Sequence, residues 1–191
     1  MANIFATSDN HFFHKSILKF CADKRGNCSS VDEMNEKMIE AWNDQVSEKD
    51  TVYCLGDFSF GTTEETLEIL KRLNGRIHLI LGNHDYWITK PTNIQLKTAC
   101  LNRMNGWVDN YRRIKIDKMH TVLFHYPIRE WDRCSYGSWH CHGHCHGNMP
   151  AVGKMLDVGI DNRPDGDMKL YSYEEVREYM NNQPLLDRMG R

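Results

Sequence analysis

A chain of 191 residues can bury a sizeable core without staples and most simply forms one domain, residues 1–191. Its formal net charge of −2 excludes a strongly basic nucleic-acid glove or membrane-surface helix, and no window suits a signal peptide or membrane span. The odd count of seven cysteines, spread along the chain, points to reduced thiols in a cytoplasmic protein.

Ile4-Phe5-Ala6-Thr7-Ser8 reads as a first strand, followed by Asp9-Asn10-His11. In an extended segment, Asp9 and His11 project to one side, and a carboxylate with an imidazole suits a divalent metal. His14, past the turn, reads as structural or as an outer partner of the ligands. The loop Asp23 to Asn27 carries two basic residues and reads as mobile. Ser30 and Glu33 form a capping box that opens a helix with its packing stripe at Val31, Met34, Met38, Ile39 and Trp42.

Thr51 to Leu55 is a second buried strand, ending in Gly56-Asp57. Thr62 or Thr63 caps the next helix, which packs through Leu67, Ile69, Leu70 and Leu73. Ile77 to Leu81 is a third strand, and Gly82 turns the chain into Asn83-His84-Asp85. Strand and helix alternate, as in a sheet with helices on its faces. Three successive strands thus end in Asp-x-His, Gly-Asp and Gly-Asn-His-Asp, where open α/β sheets bind ligands.

Lys97 to Arg103 closes a further helix. Tyr111–Ile116 and His120–Phe124 form a hairpin around Asp117-Lys118, and the second strand runs into His125-Tyr126-Pro127. Next comes Trp139-His140-Cys141-His142-Gly143-His144-Cys145-His146. This run has two readings. It is a small zinc site by itself, for which it is unusually compact, or His144 and His146 join a metal centre assembled from several elements. A strand over Met155–Ile160, a capped helix from Ser172 through Met180 and a frayed tail, 183–191, complete the chain.

Asp9-x-His11, Gly56-Asp57, Gly82-Asn83-His84-Asp85, His125 and Gly143-His144-x-His146 resemble, in order, the five motifs of the calcineurin-like metallophosphoesterases. The resemblance spans Ile4 to about Ile160, and the chain is similar to compact bacterial and phage members. It implies a four-layer α/β/β/α sandwich with two mixed β-sheets and a two-metal site at the strand ends. By that resemblance Asp9, His11 and His146 hold one metal, and Asn83, His125 and His144 the other. Asp57 bridges the two, His84 is the general acid, and Asp85 orients it. Two divalent cations are implied, Mn²⁺ first, with Fe, Zn²⁺ or Ni²⁺ as alternatives.

Two cations about 3.5–4 Å apart clamp the attacking and leaving oxygens of an in-line displacement and supply a bridging hydroxide at neutral pH. The expected function is therefore a phosphodiesterase or phosphatase; the alternative is a scaffold or binding module that keeps the fold without catalysis. The protein serine/threonine phosphatases carry an arginine after Gly-Asp that this chain lacks at Gly56-Asp57-Phe58-Ser59-Phe60-Gly61, which disfavours phosphoprotein substrates. A nucleotide-like diester or an RNA end is favoured, with Tyr126, Trp131, Tyr136 and Trp139 to stack a base and Arg129 and Arg133 to meet phosphate; two of the aromatics equally suit a core role. No extended nucleic-acid-binding surface is expected. Cys145, between the paired histidines, is a candidate for oxidation.

Overall fold

The computed structural model describes residues 2–91 and 93–186. In chain order it contains β1 (Ile4–Thr7), α1 (Ile17–Phe20), α2 (Val31–Gln45), β2 (Thr51–Cys54), α3 (Thr63–Arg72) and β3 (Arg76–Ile80). Then follow α4 (Tyr86–Thr89), α5 (Ile94–Met104), β4 (Val108–Asp109), β5 (Tyr111–Ile116), β6 (Met119–Phe124), β7 (Trp139–His142), β8 (Met155–Asp157), β9 (Tyr171–Ser172) and α6 (Tyr173–Asn181).

The helices start where the caps dictate. Thr62 and Glu65 form a complete capping box on α3, as do Ser172 and Glu175 on α6. In α2 the Ser30 hydroxyl accepts from the Glu33 amide, but the Glu33 carboxylate reaches back to the amide and hydroxyl of Ser29 instead of Ser30. The Asp117-Lys118 turn places both residues at positive φ, the twist that a tight hairpin between β5 and β6 requires.

Two mixed sheets result. One has the order β4-β3-β2-β1-β9, parallel except for β9; the other is β5-β6-β7-β8, with β5 antiparallel to the rest. The sheets face each other through Ala6, Leu55 and Ile80 on one side and Leu123, Trp139, Cys141 and Leu156 on the other, joined by Tyr173, Val176 and Met180 of α6. The opposite face of the first sheet packs Val52, Cys54, Ile77 and Leu79 against α2, α3 and α5. The opposite face of the second sheet, Val122 and Met155, is covered by the loop 126–138 through Ile128, Trp131 and Cys134, together with Leu186.

Register positions the site. Thr7, Cys54 and Leu79 are level across β1, β2 and β3, so these parallel strands leave the sheet at one edge. Parallel pairing of β6 with β7 brings His125 and Gly143 out together, and the Gly143 amide donates to the His125 carbonyl at 2.9 Å.

Two segments differ from expectation. The strand read over Met155–Ile160 stops at Asp157, because Gly159 leads into a 3-10 turn, Ile160–Asn162. The expected frayed tail is anchored at its start: the Gln183 carbonyl accepts from Lys154 Nζ at 3.0 Å, and Leu186 packs beneath β8. Residues 187–191 lie outside the described residues. Among the described residues, no helix is long and apolar enough to cross a membrane.

Candidate metal centre

At the shared edge, Asp9, His11 and His146 present ligand atoms within 4.8 Å of one another, and so do Asp57, His125 and His144. Asp57 joins the two groups. Its Oδ2 lies 3.7 Å from His11 Nε2 and 3.6 Å from His125 Nε2. Asn83 Oδ1 stands 3.1 Å from His125 Nε2 and accepts from the Tyr126 hydroxyl at 3.3 Å.

Two buried atoms here have no hydrogen-bond partner, Asp9 Oδ1 and His11 Nε2. Buried polar atoms are rarely left so, and an anionic oxygen beside imidazole nitrogens is a donor set for a divalent cation. The residues fit metal ions on this ground.

The other ring nitrogens are held from behind. His125 Nδ1 meets the Leu55 carbonyl at 2.7 Å, His146 Nδ1 meets Asp161 Oδ2 at 2.6 Å, and His11 Nδ1 meets His14 Nδ1 at 2.8 Å. His14 is thus an outer partner of a candidate ligand, stacked at 3.8 Å on Phe60. Such contacts fix ring orientation and leave Nε2 facing inward.

Asp9 and His11 do not converge by strand alternation. β1 ends at Thr7, and Asp9, His11, Asp57, His144 and His146 all have φ between 49° and 70°. The left-handed region costs such residues about 1–3 kcal/mol each, and it folds the side chains toward a common centre. Gly82 likewise differs from its expected role as a sharp turn, since it lacks positive φ. A Cβ there would collide with Asp57 Oδ1 and the Asp57 amide. Gly143 is required for the same reason against Ser8 and Asp9.

Asp85 has a different task from orienting His84. Its Oδ2 accepts from the Gly82 and Asp57 amides at 2.7 and 3.0 Å, and its Oδ1 from the Phe58 amide and Trp87 indole at 2.9 and 3.0 Å. Burial raises its pKa, opposed by the Gly82 and Phe58 amides. The side chain ties the loop after β2 to the loop after β3. The His84 ring is half-buried, 4.6 Å from the Phe60 ring and 6.2 Å from that of His11, and its amide donates to Asp57 Oδ1 at 2.8 Å. Burial would raise the Asp9 pKa, but the neighbouring imidazoles of His11, His146 and His125 hold it at about 2.

The compact His-Cys run does not gather into a separate site. Cys141 points into the inter-sheet core, where burial pushes its thiol up to about 12. His140 points the other way: its Nδ1 donates to the Val122 carbonyl at 3.3 Å and its Nε2 accepts from the Ile128 amide at 3.2 Å. Burial also raises the Cys145 pKa, which disfavours the reactive thiolate.

Of the expected substrate residues, only Tyr126 touches the centre, its ring 4.7 Å from that of His144. Trp131 and Trp139 are buried core, the indole of Trp131 donating to the Ser138 carbonyl, so a substrate-stacking role for either is corrected. Arg133 and Tyr136 line a surface cleft with Lys118 and His120 at the start of β6, about 17 Å along the strand from His125. Arg129 is exposed on the loop after His125.

Arg25 and Asp161 were not singled out in the sequence. Arg25, far from mobile, is fully buried, with a two-pronged bond to Asp161 at 2.7 Å per prong. Its remaining donors hold the Asp9 and Asn10 carbonyls at 2.7 Å. Burial would raise the Asp161 pKa, but His146 and Arg25 keep it low. The available signal was Gly159-Ile160-Asp161, another apolar run ending in glycine and an acid.

Residues 2–152 match the sequence model described as calcineurin-like phosphoesterase. An uncharacterised protein of Methanocaldococcus jannaschii is 33% identical over 150 residues, 78% of this chain and 72% of the relative. The gene 66 protein of Mycobacterium phage L5 is 38% identical, covering 84% of this chain and 87% of its own. Among solved structures, a protein of unknown function from Aquifex aeolicus superposes with a TM-score of 0.68 at 21% identity, over 94% of this chain and 100% of that one, a likeness of fold. The chain belongs to the calcineurin-like phosphoesterases, metal-dependent hydrolases of phosphate esters.

Proposed function

We propose that the protein is a two-metal phosphodiesterase working in the cytoplasm. The observation that carries this reading is Asp57 Oδ2, nearly equidistant from His11 Nε2 and His125 Nε2 and so poised between two ligand sets. Asp9, His11 and His146 would hold one cation, and Asn83, His125 and His144 the other. Bound divalent cations supply charge for the phosphate oxygens and lower the pKa of water toward neutrality.

The chain's residues do the rest. The Asn83 amide is neutral, so it adds no negative charge opposite an anionic ester. His84, carrying a ring nitrogen free of protein partners among the described residues, delivers a proton to the leaving oxygen. Hydrolysis balances as hydroxyl to phosphorus and proton to the departing oxygen. Asp85 keeps the two loops in register while this happens.

Hydrolysis of nitrophenyl mono- and diesters by chelated protein, before and after adding Mn²⁺, tests the reading. Activity should appear with the metal, with the diester preferred. Equal activity in chelator would overturn it.

A further inference from the structure

Four segments carry or adjoin residues of the centre: 14–22, with His14 and Cys21; 86–91, which follows Asp85; 125–129; and 143–153, with His144 and His146. None contains Asp or Glu, although the chain carries 26 acidic residues against 24 Lys and Arg. Lys15, Lys19, Lys90 and Arg129 are exposed there, and none has a carboxylate partner among the described residues. These four exposed cations, on a chain of net charge −2, favour an anion beside the centre.

The same segments expose large aromatic rings. Phe20 is 78% exposed, Tyr86 53% and Tyr126 37%. Phe20 directly precedes Cys21, whose sulfur lies within 4.8 Å of ligand atoms of His146 and Asp161. On another side, the Tyr86 ring is 6.4 Å from the His84 ring, with Lys90 Nζ 4.8 Å from its centroid. Tyr126 packs on His144. Exposed rings thus stand on segments that carry or adjoin the centre, Tyr86 with a cation over its face.

A small phosphate ester needs only the centre itself. Cations and rings dispersed around it match a ligand with several phosphates and several free base faces. In a duplex those faces are already stacked, whereas in a single strand they are available. We propose that this rim binds a single-stranded polynucleotide, making the scissile bond a phosphodiester of such a strand. The proposal rests on the phosphodiesterase reading above and specifies its substrate class. It also revises the expectation of no nucleic-acid surface, because the rim is assembled from four stretches that are unremarkable one at a time.

The test uses Mn²⁺-loaded protein and a fluorescein-labelled decanucleotide, in separate RNA and DNA arms that identify the sugar. Binding is read by anisotropy between about 50 and 200 mM salt, and cleavage is compared with that of methyl p-nitrophenyl phosphate, too small to reach the rim. All the substituted side chains are exposed. Phe20→Ala should weaken strand binding about five- to a hundredfold. Lys15→Ala with Lys19→Ala should flatten the log–log salt dependence by ~0.7 per lysine. In each variant the ratio of strand to small-ester cleavage should fall correspondingly. A strand displaced equally well by inorganic phosphate, or affinities indifferent to all three substitutions, would overturn the rim. Failure to cleave either substrate while the strand binds as described would sink the phosphodiesterase reading and leave the rim standing.

Discussion

Asp161 and Arg25 show how much of the candidate metal centre lies behind its proposed ligands. The Asp161 carboxylate holds the His146 ring at 2.6 Å and is itself held by a fully buried guanidinium. Removing such a partner typically costs 10–100-fold in metal affinity. Asp161→Asn should therefore weaken the cation held by Asp9, His11 and His146 by about that factor and spare the other, as read by calorimetric titration with Mn²⁺. Equal weakening of both ions would contradict the assignment. His84 makes the complementary case. As the proposed proton donor it would be worth about 10²–10⁴-fold, so His84→Asn should lose that much kcat with an alkyl leaving group and far less with nitrophenolate. Metal content should not change. Equal losses on both esters would remove the acid role.

At the scale of elements, the sequence was most readable where local chemistry decides. Caps at Ser30, Thr62 and Ser172 mark their helices, and the motif-bearing strands β1, β2, β3 and β6 are apolar runs with polar ends. It was least readable where tertiary contact decides. Nothing local tells that Asp9 and His11 adopt left-handed φ, since that conformation is imposed by neighbours such as the Gly56 and Asp57 carbonyls, which accept their amides. Trp131 and Trp139 look like binding aromatics until the loop 126–138 is seen to be a covering layer and β7 a core strand. The His-Cys run follows the same logic, for β7 sends Cys141 inward and His140 outward. Cys141→Ser with Cys145→Ser should accordingly keep its metal, as read by elemental analysis, while losing about 1–3 kcal/mol from the buried hydroxyl. Release of metal would restore the separate zinc site.

For the molecule as a whole, a third core, beneath loop 126–138, couples stability to pH through His140. Burial, then the charge of His142, lowers its pKa to about 4, against about 6.5 in the unfolded chain. Between those values the unfolded state binds the extra proton, so stability is complete above about pH 6.5 and falls as pH drops toward about 4. The loss attributable to this residue is about 3 kcal/mol at most. Urea midpoints of His140→Gln and the parent chain at several pH values should show a shallower decline in the variant. Parallel declines would assign the pH sensitivity elsewhere.

Both sheets deliver their strand ends to one edge, and the account depends on Asp57 joining the two ligand sets there. Metal titration of Asp57→Asn by calorimetry with parallel elemental analysis tests this most directly. If Oδ2 serves both cations, two ions per chain in the parent protein should both weaken by at least about tenfold in the variant. Two ions retained at parental affinity, or one lost with the other untouched, would contradict a shared centre.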